Sequence, residues 1–553
     1  MSKNADEQGI PFRFRKGASI GEPDAESDDQ FLNRCFVDTG DYGTLIDCRN
    51  PHRIIVGRTG AGKSALIQHL IHNEENVIEI SPENLSLNYI SNSDVIAFLE
   101  KAGVKLDLFY TLLWKHVFAT ELLKRKFHLA NEEKTKSWFS SFLPAMRKKD
   151  QSKERALEYL KDWGDKFWQE TEYRVKEVTQ KLEDDVRAQL GSDILGLKAE
   201  ASAEQKYTEE QRTEVIHKAQ RVVNNIQIKA LSDVMQLLAD EVFNDDQQKY
   251  FVVIDKLDEN WVENDLRYRL IRALIETVKD YRRIKSVKII VALRLDLLQS
   301  VFERTRDAGF QEEKYQSLLL HLNWNPQYLE KMLDERVGVL VREQYTNTPI
   351  KLRTLFPSHI GKESFVDYLI NRTLCRPRDA IAFVNECIRR AEGKGQVNVQ
   401  TVRDSEREYS AQRIESLAYE WFVQYPKLRN SIGILERMPA EFKLSAITKE
   451  KVEAFALAHA IDGEHDSDPI IRAAYAFINS GQGNQHPFVI ALVKVLFKVG
   501  ALGIKPDGFT GQLWVQTSER MPSDGQIKPG STAYVHPMIW SHLGIIVTSS
   551  AHR

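Results

Sequence analysis

The chain lacks the marks of several large protein classes. No stretch approaches the roughly 18 uninterrupted apolar residues of a membrane span. The first residues, Met1 to Gln8, are polar and contain no apolar signal core. Cysteine is scarce: Cys35, Cys48, Cys375 and Cys387 are the only four, and none forms a C-x-x-C pair. Neither a zinc site nor a disulfide framework is therefore expected, and the thiols read as reduced residues of a cytoplasmic protein without a membrane partner. A strong charge imbalance is also missing. The formal net charge of −3 gives no global attraction to nucleic acid or to an anionic surface. No nuclease, protease or metal-ligand constellation stands out, and histidines such as His536 before Pro537 read as packing residues. What remains is a globular composition, 42% hydrophobic and 28% charged over 553 residues. That length exceeds one core and implies roughly two to four domains.

The most informative stretch is residues 53–70. Ile54 to Val56 reads as a buried strand. Gly57-Arg58-Thr59-Gly60-Ala61-Gly62-Lys63-Ser64 then fits G-x-x-x-x-G-K-[ST] at every fixed position, and Ala65, Leu66, Ile67 and Leu70 open a helix. Glycines let the backbone curl so that successive N–H groups face a phosphate, and a helix N-terminus adds positive potential there. Gly57 to Ala65 are thus candidate nucleotide-binding residues. Lys63 is placed to reach the β- and γ-phosphates of ATP, and Ser64 to ligate Mg²⁺.

A second stretch supplies acids. Tyr250-Phe251-Val252-Val253-Ile254 runs straight into Asp255-Lys256-Leu257-Asp258-Glu259. Buried parallel strands read this way, and ligands bind at their carboxyl ends. Asp255 is placed as the Mg²⁺-positioning acid of a Walker B motif. Asp258 and Glu259 are the candidates to orient or deprotonate the attacking water. A further buried strand, Val287 to Leu293, ends in Arg294, which can reach a γ-phosphate or form a surface ion pair. Arg378, in Cys375-Arg376-Pro377-Arg378-Asp379 at a helix start, has the same two options from a helical lid.

Val77 to Ile80 and Ser317 to Leu322 complete an alternation of strands and helices. This predicts an α/β fold, a doubly wound parallel sheet of the P-loop NTPase type. The stretch between Lys63 and Asp255 is several times what such a core needs, so a long helical insertion is expected. Its first helix, from about Asp107 to Phe127, has a buried face of Phe109, Leu112, Leu113, Trp114, Val117, Phe118, Leu122 and Leu123. Narrow apolar stripes over Val175 to Leu190 and Ile216 to Leu237 predict a coiled-coil-like helical hairpin, a site for partners or for oligomerisation. The boundaries expected are an arm at 1–30, the core at 31–104 and 246–340, the insertion at 105–245, a helical lid at 341–400 and a C-terminal helical domain at 401–553. Helices followed by a turn and strand within Gly500 to Pro506 and short strands at Leu513 to Gln516 and Tyr534 to His536 suggest that this last domain is winged-helix-like. Its wing carries only Lys505, Arg520 and Lys528, a thin basic footprint for a DNA reader.

Taken together, Gly57 to Ser64, Val253 to Glu259, Leu293 to Leu298 and Arg376 to Asp379 resemble the bacterial STAND/KAP-like branch of AAA+-related P-loop ATPases, over about Glu22 to Arg390. Lys63, Ser64 and Asp255 match the family pattern. The next position, commonly a second acid or glycine, is Lys256 here, which moves the expected general base to Asp258 and Glu259. Arg294 matches a sensor-like position and Arg378 a lid-arginine position. The resemblance implies an oligomeric regulatory or scaffold ATPase controlling a protein effector, as in anti-phage defence. The alternative is a DNA-binding motor or initiator using the winged helix. An ABC or SMC-type ATPase is disfavoured because the L-S-G-G signature is absent before Asp255. A GTPase is disfavoured because Asp255-Lys256-Leu257-Asp258 lacks the asparagine of N-K-x-D.

Overall fold

The computed structural model describes residues 13–28, 30–82, 106–128, 151–163, 225–259, 261–306, 311–344, 350–459, 468–481, 483–515 and 521–547. The apolar stripe at 175–190 and residues 216–223 of the second stripe lie outside these residues. The described chain forms two compact units. One comprises Gly40–Arg58 and Lys63–Leu322; the other comprises Met1–Thr39, Thr59–Gly62 and Asn323–Arg553.

The first unit is built on a five-stranded parallel sheet. Its strands are β1 (Ile54–Gly57), β2 (Val77–Ile80), β3 (Tyr250–Ile254), β4 (Val287–Arg294) and β5 (Leu319–His321), in the order β2-β3-β4-β1-β5. Every residue of β1 and β3 is buried. This is why these strands read as unbroken Ile/Val/Phe runs rather than alternating patterns: helices cover both faces of a parallel sheet. Helix α1 (Asp41–Ile46) precedes β1, and α2 (Lys63–Asn73) follows it. Turns occupy residues 30–35, and helix begins only at Asp41.

Helix α3 (Asp107–Lys126) buries the whole face expected for it. It shares one core with the sheet, and the Trp114 indole donates to the Leu270 carbonyl on α6 (Asn264–Asp280) at 2.9 Å. Helices α4 (Gln151–Trp163) and α5 (Asn225–Leu237) join this core through Tyr159, Leu160, Leu231 and Val234. Both ends of the expected insertion are thereby tied to the sheet. Helix α7 (Leu295–Arg304) follows β4 directly.

The second unit contains α8 (Pro326–Gln344), α9 (Phe365–Asn371), α10 (Pro377–Arg390) and α11 (Val399–Glu420). The polar N-terminal segment is packed on them. Phe14 and Ile20 are buried, Ile20 N–H donates to Asn385 Oδ1, and Asp28 forms a buried ion pair with Arg336 of α8 at 2.6 Å. Residues 341–400 also hold a two-stranded hairpin, β6 (His359–Ile360) and β7 (Glu363–Ser364), where only helices were expected.

The C-terminal part has an antiparallel sheet of order β8-β10-β9, made of β8 (Glu441–Lys443), β9 (Leu502–Lys505) and β10 (Thr532–Val535). Helices α12 (Lys449–His459), α13 (Pro469–Asn479) and α14 (His486–Val499) share its core. The arrangement is winged-helix-like, with two corrections to the expected strands. β8 lies in a stretch that read as purely helical, and the described residues of the third expected strand, Leu513 to Val515, supply only an isolated bridge from Leu513 to Ile504. Three residues such as Glu441-Phe442-Lys443 bury one side chain, too little periodicity to register as a strand.

Candidate functional site

In the first unit, β1 and β3 end on the same edge of the sheet, because all five strands run parallel, and β4 lies between them. Lys63 is the first residue of α2, and its ammonium donates to the Gly57 and Arg58 carbonyls at 3.3 and 3.2 Å. Burial lowers its pKa, while Asp255 and Asp258 pull it back up. The Ser64 hydroxyl hydrogen-bonds the Asp255 carboxylate. Burial raises the Asp255 carboxyl above the usual range, and the Ser64 bond opposes that shift. Residues 64 and 255, far apart in sequence, thus present two hard oxygens in contact. Among the described residues no cluster of three or more His, Cys, Asp or Glu could cage a metal. A cation held by one hydroxyl, one carboxylate, waters and phosphates is the habit of Mg²⁺, so the donor set fits that ion.

The acidic turn after β3 is pinned through its backbone. Arg267 on α6 donates from Nη1 to the Asp258 and Glu259 carbonyls at 3.1 and 3.0 Å, and the Trp261 indole donates to the Leu257 carbonyl. The side chains of Asp258 and Glu259 are left on the exposed side. Lys256 is exposed and left-handed at φ 62°, with its N–H donating to Asp255 Oδ1 at 2.8 Å. Arg294, at the end of β4, grips Asp296 through two bonds of 3.0 and 2.8 Å and approaches Asp258 Oδ2 at 3.4 Å. The structure therefore brings the expected residues Asp258 and Arg294 together.

In the second unit, the tip of the glycine-rich turn is clasped from behind. Gly60 and Gly62 are left-handed at φ 76° and 94°. The Thr59 carbonyl accepts from Arg376 Nη1 at 2.9 Å, the Gly60 carbonyl from the Arg378 backbone N–H at 3.4 Å, and the Ala61 carbonyl from the Trp324 indole at 2.8 Å. A Cβ on Gly60 would stand 2.7 Å from Arg378 Cβ, so this contact needs glycine. The Arg378 guanidinium bonds Pro23 O at 3.3 Å and Asp24 Oδ1 at 2.8 Å. Arg376 also bonds Glu420 Oε2 at 3.1 Å in a buried pair.

Trp324, Arg376, Glu420 and Arg267 take no site role in the sequence reading, although Arg376 opens one of the motifs that carry the resemblance. Trp324 follows the end of β5, the edge neighbour of β1, and an aromatic just past a strand end is the one signal that pointed to it. Nothing in the spacing of Arg267 or Glu420 marks them.

Residues 327–418, from α8 to near the end of α11, match the family model of the FunZ-associated C-terminal helical domain. The chain is 22% identical over 555 aligned residues to an 80.3 kDa protein attributed to transposon gamma-delta in Escherichia coli (strain K12), covering 96% of this chain and 67% of that protein. Among solved structures, a Walker-type ATPase of Pyrococcus abyssi is similar at 12% identity and a TM-score of 0.34, over 95% of this chain and 98% of that one. Cdc6p from Pyrobaculum aerophilum is similar at 10% identity and a TM-score of 0.27, over 82% and 89%. Superpositions that loose leave the fold resting on the strand order itself, which is that of a P-loop nucleotide-binding core carrying a C-terminal helical domain.

Proposed function

We propose that the chain binds ATP with Mg²⁺ through Gly57 to Ser64 and hydrolyses it, using the nucleotide state to control a protein partner. The observation that carries this reading is the contact of Ser64 with Asp255, since it joins the two motifs that ATP hydrolysis requires. Backbone N–H groups of the turn would receive the phosphates, and Lys63 would add the positive charge that reaches the terminal ones. Ser64 and Asp255 would hold Mg²⁺, which supplies charge neutralisation on the phosphates. Asp258 and Glu259 carry exposed carboxylates suited to orient a water, and Arg294 beside Asp258 is a cation for the charge that develops as the phosphoryl group leaves. Arg378 is proposed as the lid cation of the same reading, a role in which its guanidinium would have to leave Asp24. The helical insertion, whose ends are built into the core, is the proposed surface for self-association and for an effector, as in anti-phage STAND-type switches.

The test is equilibrium binding of ATP and phosphate release by the full chain. Lys63→Ala is expected to weaken ATP binding on the order of a hundredfold, the loss of a charged contact worth about 3 kcal/mol. Unchanged affinity in that variant would remove the reading.

A second reading, a DNA-acting ATPase, is favoured by one feature. The winged-helix-like sheet ends in a wing whose tip presents Phe509 fully exposed, shortly after Lys505 in sequence. The transposon attribution of the Escherichia coli relative points the same way. Affinity for duplex DNA that falls steeply with salt would support it, and no binding at low salt would exclude it.

A further inference from the structure

A phosphate-binding turn must aim its N–H groups inward, and a peptide that does so turns its carbonyls outward. Those carbonyls need partners, because a buried orphan acceptor costs as much as a lost hydrogen bond. In this chain the carbonyls of Thr59, Gly60 and Ala61 accept in succession from Arg376, Arg378 and Trp324. Two of the three donors are side chains that ordinary P-loop chemistry does not call for. Trp324 also lies under the next glycine, its Nε1 and Cζ2 3.7 and 3.8 Å from where a Cβ on Gly62 would be. Arg376 is not free to drift: Glu420 at the end of α11 holds the same Nη1, and both side chains are buried.

We propose that Trp324 and Arg376, the latter braced by Glu420, are positioning residues that hold the nucleotide turn open for phosphate by fixing its carbonyls outward. This rests on reading Gly57 to Ser64 as the nucleotide site. The clasp acts on the backbone of the turn and not on the base or ribose. Its loss therefore weakens ATP and inorganic pyrophosphate by the same factor. It raises KM while leaving kcat, because bound ground state and transition state lose the same support.

The experiment uses the full chain and four variants. Trp324→Phe removes one donor and keeps the ring. Arg376→Met combined with Glu420→Met removes the buried pair together, so that neither charge is stranded. Arg376→Lys restores a donor, and Lys63→Ala is the control for the site itself. Affinities for ATP and for pyrophosphate are measured by competition with a fluorescent ATP analogue, beside steady-state kinetics and unliganded melting. Trp324→Phe is expected to weaken both ligands about three- to tenfold, the range of one hydrogen bond. The double variant is expected to weaken both more than about tenfold, and Arg376→Lys to recover most of that loss. If the wild type binds both ligands and Lys63→Ala does not, but Trp324→Phe and the double variant bind as wild type, the clasp is overturned while the site stands. The same holds if the variants melt lower with affinities unchanged. If the wild type binds neither ligand, the nucleotide site itself fails.

Discussion

The turn after β1 and the turn after β3 both leave buried parallel strands, yet they are made rigid in different ways. The first spends its sequence on backbone freedom: Gly60 and Gly62 are left-handed, and outside side chains fasten its carbonyls. The second spends its sequence on carboxylates, tolerates Lys256 in a left-handed conformation, and is fastened by Arg267 and Trp261. The first turn offers donors and the second offers acceptors, as a phosphate and its cation would each require. The difference also explains which turn can be recognised in a sequence. Glycine at a fixed spacing has few other uses, whereas acids after a strand have many.

The largest effect that would break this comparison is on turnover. Asp255→Asn keeps the shape of the second turn and removes its metal-holding charge. Phosphate release is expected to fall on the order of a hundredfold, while ATP affinity measured with the Lys63-dependent assay changes less than about threefold. Equal loss in both would show that the two turns do not divide the work.

Gly60→Ala tests the first turn alone. Gly17 and Gly60 have nearly equal φ, 77° and 76°, but a Cβ meets nothing within 4 Å at Gly17 and Arg378 at 2.7 Å at Gly60. Denaturant melts should show a cost of about 1 kcal/mol for Gly17→Ala and about 2–4 kcal/mol for Gly60→Ala. Equal costs would mean that Arg378 yields freely.

A contrast of another kind sits at the opposite end of β4. Lys288 is buried, donates to the Thr44 and Asp47 carbonyls at 2.8 Å each, and is pushed down to about 7, mainly by burial. Its unfolded value is about 10.4. Between those values the unfolded chain holds a proton that the folded chain lacks, so stability from this group rises with pH from about 7 to about 10 and is flat below. Denaturant unfolding across that window should show a rise in the wild type that Lys288→Met lacks. The smallest effect expected is at Lys256. Replacing it by glycine relieves the left-handed strain but loosens the unfolded chain, for a net gain of no more than about 1 kcal/mol in the same melts.

Much of the sheet could be read in advance because β1 and β3 are uninterrupted apolar runs and β4 is apolar from Ile289 to Leu293, and because the face of α3 repeats at helical spacing over five turns. Lys63, Ser64 and Asp255 carry side chains whose chemistry is tied to their motif, and Ser64 and Asp255 do meet. Other features escaped for a common physical reason. β8 is three residues long, and Arg376, Trp324 and Arg267 act on backbone carbonyls. A carbonyl belongs to every residue alike, so its partner leaves no pattern in the residue types. Arg378 read as either a lid cation or an ion-pair partner, and its guanidinium forms an ion pair with Asp24 of the N-terminal segment.

That segment carries a practical consequence. Arg336 on α8 donates to the Ile20 carbonyl and to Asp28, and its side chain and that of Asp28 are almost wholly enclosed. A shortened protein beginning after Asp28 would keep the glycine-rich and acidic motifs but lose both acceptors of the Arg336 guanidinium together with the buried Phe14 and Ile20, and is expected to be less stable. Trimming the front of the chain would therefore yield a less stable protein, and fusions are better joined ahead of Phe14 than behind it.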